Sequence, residues 1–303
     1  VTSVDTSSEA LAVSMGEKAY VDMEYMCQLS GKTEEEIYSD LKGVIFLNPM
    51  YGYGNSTEAK YLMADEYLSG NVREKLAWAK RSAELSPDDY KIHVEALEKV
   101  QPKDLTASEI SVRLGATWLP PEIVEQFIFE FLGTPRYAQW NIKLHFSQYT
   151  GEWNLEGKSY DRGNVKAYNT YGTSRINAYK IIEETLNLKD VRIFDYIEEP
   201  DGKKKAVLNK KETAIAQSKQ ELIKQGFQDW IWADPERRER LCKLYNEKFN
   251  SIRPREYDGS HITFNGMNPE IELREHQKNA VAHILYGGNT LLAHEVGAGK
   301  TFE

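Results

Sequence analysis

The chain has 303 residues, 47 acidic and 38 basic, a net charge of −9, with 41% hydrophobic and 28% charged side chains. That balance is of a soluble chain with room for about two domains, and its acidic total argues against a protein coated all over by nucleic acid. No apolar run is longer than the four residues of Val44–Leu47, too short to cross a bilayer, no signal peptide follows Val1, and Cys27 and Cys242 have neither disulfide-framework nor zinc spacing, which points to a reducing, cytoplasmic setting.

In chain order, Ser7 or Ser8 caps a first helix with Leu11, Met15, Val21, Tyr25 and Leu29 apolar, stopped by Gly31. Thr33 followed by Glu36 is a capping box that opens a second helix with Ile37 and Leu41 inward. Val44–Leu47 reads as a short buried strand, ended by Pro49 and the Gly52/Gly54 cluster. Helix, glycine turn, helix, strand is the outline of a winged helix-turn-helix. The would-be recognition helix opens with Glu34-Glu35-Glu36, three carboxylates that would repel phosphates, so a small helical packing or protein-contact module is favoured. Asn48-Pro49-Met50-Tyr51 is similar to the loop with which adenine-N6 methyltransferases hold a flipped base, but Met50 replaces its second proline and no glycine-rich cofactor loop precedes it. Further helices are expected near 58–68, 72–85, 88–99 and 106–113. Another starts at Pro120-Pro121, with Ile123, Phe127, Ile128 and Phe131 on one face, and ends at Gly133.

The pattern then changes. Ile142, Leu144 and Phe146 alternate with polar residues, turn at Thr150-Gly151 and resume at Trp153 and Leu155, which is a β-hairpin. Its aromatics, with Tyr160, Tyr168 and Tyr171, suit core and cross-strand packing better than base stacking. Thr173 and Ser174 cap a helix to Leu186, and 191–197 and 206–208 form a second hairpin around Glu199-Pro200-Asp201-Gly202. Two charged helices follow near 211–226 and 234–250. Residues 1–150 carry the whole net −9, whereas 200–256 hold 14 basic and 9 acidic residues. Lys203–Lys205, Lys210-Lys211, Arg237-Arg238 and Arg240 make the stretch 203–240 the place for phosphate contacts, against the default of a solvated surface.

The last thirty residues carry the chemistry. Leu291-Leu292-Ala293 suits a buried parallel strand, and His294-Glu295-Val296-Gly297-Ala298-Gly299-Lys300-Thr301 follows it. Gly297 and Gly299 let the backbone around Ala298 curl so that successive N–H groups face a phosphate, Lys300 would reach the terminal phosphates, and the Thr301 hydroxyl would sit on Mg²⁺. His294 stands where the strict phosphate-loop pattern has its first glycine. Gln277, twenty residues before Gly297 and followed by Val281, Ile284 and Leu285 at helical spacing, can read an adenine edge through its amide.

Leu273-Arg274-x-x-Gln277 followed by Leu292-Ala293-His294-Glu295-Val296-Gly297-Ala298-Gly299-Lys300-Thr301 resembles the opening of a superfamily 2 helicase core of the Swi/Snf type, with His294 in place of the usual Asp. More closely, the chain resembles the large helicase–methyltransferase proteins of bacterial mobile elements and phages, through Tyr67–Arg73, Arg113–Trp118 and Tyr257–His261 as well. The resemblance implies ATP and Mg²⁺ as cofactors, Gln277 and Arg274 at the adenine, and DNA and the remainder of a parent chain as partners. It implies a fragment ending at the phosphate loop, inactive alone because an acidic motif and a second-lobe arginine are missing. The expected fold is α+β: a helical region 1–133, a mixed region 134–255 with basic helices, and the start of the ATPase domain at 256–303. The rival reading is a non-catalytic DNA- or protein-binding connector between methyltransferase and motor.

Overall fold

The computed structural model describes residues 1–48, 51, 59–198, 204–264, 267–268, 270–287 and 289–300. The class is α+β, helices with small two-stranded antiparallel sheets. By contacts the chain groups into two units, residues 1–103 with 249–303, and residues 104–248. Residues 133–135 join two helices inside the second unit.

The first unit begins with α1 (Ser7–Lys18), α2 (Met23–Ser30) and α3 (Glu34–Asp40). The single helix expected over 7–30 is broken in two. Ala19 takes a left-handed conformation, Asp22 caps the Tyr25 N–H, and the Ser14 hydroxyl donates to the Tyr20 carbonyl and accepts from the Asp22 N–H. The capping box of Thr33 and Glu36 forms as expected and stabilises α3 by about 1 kcal/mol. β1 (Ile45–Leu47) pairs with β2 (Tyr61–Met63), Ile45 opposite Met63. Leu11, Val21, Met26, Leu29, Ile37, Leu41 and Ile45 close a core between these elements. The helix expected over 58–68 is β2 followed by the short α4 (Ala64–Tyr67), because pairing with β1 claims the backbone of 61–63. After β3 (Gly70–Asn71), α5 (Val72–Leu85) and α6 (Pro87–Lys99) pack as a hairpin over Phe46, Tyr67 and Leu97.

In the second unit, 106–113 forms a turn rather than a helix. The side chain of Asn246 binds both the N–H and the carbonyl of Leu105 and holds the entry extended. α7 (Pro121–Leu132) and α8 (Arg136–Gln139) precede the hairpin β4 (Lys143–Phe146) and β5 (Trp153–Glu156), with Phe146 opposite Trp153 as the alternation requires. A π-helical turn at Lys166–Thr170 leads to α9 (Ala178–Leu186). α9 starts later than expected because the side chain of Asn177, not Thr173, caps it. The exposed hairpin β6 (Phe194–Glu198) and β7 (Lys204–Leu208) and the long helices α10 (Lys210–Ile231) and α11 (Pro235–Phe249) follow. The core joins Phe127, Ile128, Trp153, Tyr179, Ile223 and Phe227. The buried Glu183 carboxylate accepts from Lys158, Lys180 and the Leu155 N–H. Burial alone would raise its pKa, but these donors hold it below the usual carboxylate range.

The chain then returns to the first unit. β8 (Ile252–Arg253) pairs with β3, and Arg73 donates to the Asn250 carbonyl. α12 (Glu275–Gly287) leads to the terminal loop. Leu291-Leu292-Ala293 does not form the expected buried strand: Leu291 is 87% exposed, and among the described residues no strand lies beside it to satisfy its backbone.

Candidate functional site

The N-terminal turn of α12 and the loop 294–300 meet, although twenty residues separate them. The amide oxygen of Gln277 accepts from the Arg274 N–H at 2.9 Å, and its Nε2 donates to the Gly299 carbonyl at 3.0 Å. Gln277 is only 6% exposed, so these two bonds satisfy a side chain that burial would otherwise penalise. The second N–H and the second oxygen lone pair of its amide remain for another partner. Beside it, an imidazole nitrogen of His276 is 3.0 Å from the Ala298 carbonyl, and the His276 and His294 rings meet edge to face.

The loop has the backbone that its glycines permit. Gly297 and Gly299 have φ of +90° and +91°, where a side chain would be strained. A Cβ on Gly299 would also lie 2.6 Å from Gln277 Nε2, whereas around Gly297 the space is open. Lys300 is exposed, and its ammonium donates to the carbonyls of His294 (2.9 Å) and Glu295 (3.1 Å), turning back across the loop. Arg274 is exposed and lines an open pocket with Ser260, Glu272 and Lys278. Thus Gln277, Gly297, Ala298, Gly299 and Lys300 come together, with Arg274 one turn away; Thr301 lies outside the described residues. His276 was missed as a member of this cluster, although its place beside Gln277 on an exposed helix start was a usable signal.

Other candidates divide. Lys203 lies outside the described residues, and Lys204, Lys210 and Lys211 are exposed. Arg237, expected to face phosphate, is instead buried: it donates to the carbonyls of Trp230 and Ile231 and stacks on the Trp230 ring, because α11 turns it back onto the end of α10. Arg240 pairs with Glu122 at 2.7 Å. Of the hairpin aromatics, Trp153 is buried against Phe146, while Trp140 and Tyr149 are exposed. The Asn48 amide is spent on the Ala59 carbonyl, and Pro49 and Met50 lie outside the described residues.

The carboxylates of α3 are partly committed inside the molecule. Glu34 accepts from Lys60 and from the Tyr61 hydroxyl, and Glu36 from the Thr33 N–H; Glu35 is exposed. Three helices followed by two paired strands is the topology of a winged helix.

Comparison with known families agrees with that topology. Residues 3–58 match a family described as "Probable helicase, winged helix domain", and residues 113–251 match a family described as "Domain of unknown function (DUF8437)". No curated protein and no solved structure matches the chain. The chain is therefore helicase-related and carries a winged-helix module, the outline that the three carboxylates had set aside in favour of a packing module. Within 3–58, ten acidic residues stand against three basic ones, a net charge of −7. Among the described residues no helix is long and apolar enough to cross a membrane.

Proposed function

We propose that this chain is the accessory region and phosphate-binding loop of an ATP-dependent DNA helicase or translocase. The observation that carries the reading is the bond from Gln277 to Gly299, which couples an adenine-reading position to a glycine loop suited to phosphate. In this reading the N–H groups around Gly297, Ala298 and Gly299 and the ammonium of Lys300 bind the phosphates, and Arg274 and Gln277 lie toward the adenine. Mg²⁺ on the Thr301 hydroxyl would neutralise phosphate charge when bound. The residues fit the nucleotide: the two glycines present no Cβ to it, and Lys300 is at the surface.

The reading assigns nucleotide binding to this chain; hydrolysis would further use a Mg²⁺-holding acidic motif on a neighbouring strand and an arginine from a second lobe. DNA contact is assigned to the unit of residues 104–248, in which 22 acidic and 22 basic residues balance, rather than to the acidic winged helix. Linkage of the parent to a DNA adenine methyltransferase in a phage or mobile element, and a cytoplasmic place, are part of the same proposal.

The test is a thermal melt of the chain with and without millimolar ATP·Mg²⁺, since a ligand that binds only the native state raises its midpoint. Protection that Lys300→Ala removes is expected. Equal midpoints with and without ATP would overturn the reading and favour the connector module, which the net −7 of the winged helix also suits.

A further inference from the structure

The second unit contains a pocket of about 360 Å³ that the loop chemistry does not use, lined by Arg113, Leu188, Lys189, Asp190 and Lys224 among others. Three segments wall it, and their backbones are cross-tied. Gln220, Lys224 and Gln228 succeed one another at four-residue spacing on one face of α10. The Gln220 amide donates to the Thr185 hydroxyl and the Lys189 carbonyl and accepts from the Val191 N–H, which fixes the end of α9. Gln228 donates to the Val112 carbonyl at 2.6 Å, which fixes the turn before Arg113. Gly115, at φ +97°, completes the frame, because any Cβ there would overlap the Leu186 carbonyl.

This frame presents cations. Among the described residues the Arg113 and Lys189 side chains have no hydrogen-bond or ion-pair partner, and Lys224, between the two glutamines, is 2.7 Å from Glu221. Counting Asp190 and Glu221, one positive charge is in excess. That matches the single charge of a phosphodiester better than the multiple charge of a free nucleoside triphosphate. The amides are consumed in holding the walls, so recognition falls to the charges and not to base edges.

We propose that the pocket of Arg113, Lys189 and Lys224 binds a backbone phosphate of a nucleic-acid strand, without regard to base sequence. The assignment rests on the nucleic-acid reading above and adds to it a place on the molecule.

The test is fluorescence anisotropy of a labelled 20-nucleotide single strand with the full chain across a series of KCl concentrations, for wild type, Arg113→Gln, Lys189→Gln and the double variant. These are exposed residues, and a thermal melt of each variant verifies folding. Each single variant is expected to weaken binding by about 3–10-fold at low salt and to flatten the plot of log K against log[salt] by about 0.7 per lost contact. Strand binding with wild-type affinity and slope in every folded variant would overturn the pocket while leaving DNA binding by the chain intact. No strand binding at low salt would overturn the pocket and the DNA reading together. Displacement of the strand by ATP at matched ionic strength from wild type, but not from Lys300→Ala, would place the strand at the terminal loop and overturn the pocket. Equal displacement by ATP and by chloride of the same ionic strength supports it.

Discussion

Nε2 of Gln277 donates to the carbonyl of Gly299 across 3.0 Å, so one buried amide joins the start of a helix to a loop twenty-two residues further on. The bond explains why the two glycines of the loop are not equivalent. At Gly297 only the backbone conformation excludes a side chain; at Gly299 the Gln277 amide excludes it as well.

Gly299→Ala is therefore expected to abolish protection by ATP·Mg²⁺ in a thermal melt and to lower the midpoint of the free chain, because it adds the strain of a positive φ and displaces the buried Gln277 amide from its bond. Gly297→Ala meets only the strain of its positive φ, about 1–2 kcal/mol, and is expected to weaken nucleotide binding by roughly tenfold. Equal effects of the two substitutions would remove the role given to Gln277.

The winged helix is expected to add nothing to DNA affinity. Glu35 is exposed, while Glu34 accepts from Lys60 and Tyr61, Glu36 from the Thr33 N–H, and Asp40 pairs with Lys32. In the anisotropy titration, Glu35→Lys should leave affinity within about twofold and the salt slope unchanged. A steeper slope would show that α3 approaches phosphate.

Leu188 occupies a position that normally falls to glycine or asparagine. The Leu188 and Lys189 N–H groups bond to the Thr185 and Glu184 carbonyls as α9 ends, and Leu188 itself has φ +57° with its side chain 61% exposed. Leu188→Asn should relieve left-handed strain at little loss of packing and raise stability by about 0.5–1 kcal/mol, read as a higher midpoint in chemical denaturation.

His93 is buried between two tyrosines, with Nδ1 2.9 Å from the Tyr67 hydroxyl and Nε2 3.3 Å from that of Tyr38. Burial, reinforced by Lys42 and opposed by Asp89, lowers its pKa from 6.5 to about 4. The unfolded chain thus binds a proton that the folded chain refuses over this interval. Stability from neutral His93 is complete above pH 6.5 and is lost as the pH falls toward 4, by on the order of 2–3 kcal/mol. Denaturation midpoints measured from pH 7 to 4 should fall less steeply in His93→Phe than in wild type.

The capping box of Thr33 and Glu36, both hairpins of the second unit and the two long charged helices were legible because each is set by residues a few positions apart. The misread segments are those decided by distant partners. Residues 61–63 form β2 because β1 pairs with them, and 106–113 makes a turn rather than a helix where Asn246 grips Leu105. At α3, charge and topology answer different questions: the acidic start weighs against phosphate contact, while the order of helices and strands matches a winged helix.

By itself, the sequence determined the capping box of α3, the hairpins of the second unit, the two long charged helices and the glycines of the loop at 297–300, since capping and turn chemistry act within about one helical turn; it missed Thr6 and Asn177 as the caps of α1 and α9. Only tertiary structure decided that Gln277 closes onto Gly299, that Arg237 turns inward onto Trp230, and that Gln220 and Gln228 of one helix face hold the walls around Lys224. All but the Arg237–Trp230 contact, which closes across the turn between two helices, join residues far apart in the chain, and what selects among them is the need to satisfy buried amides and guanidinium groups once packing has excluded water.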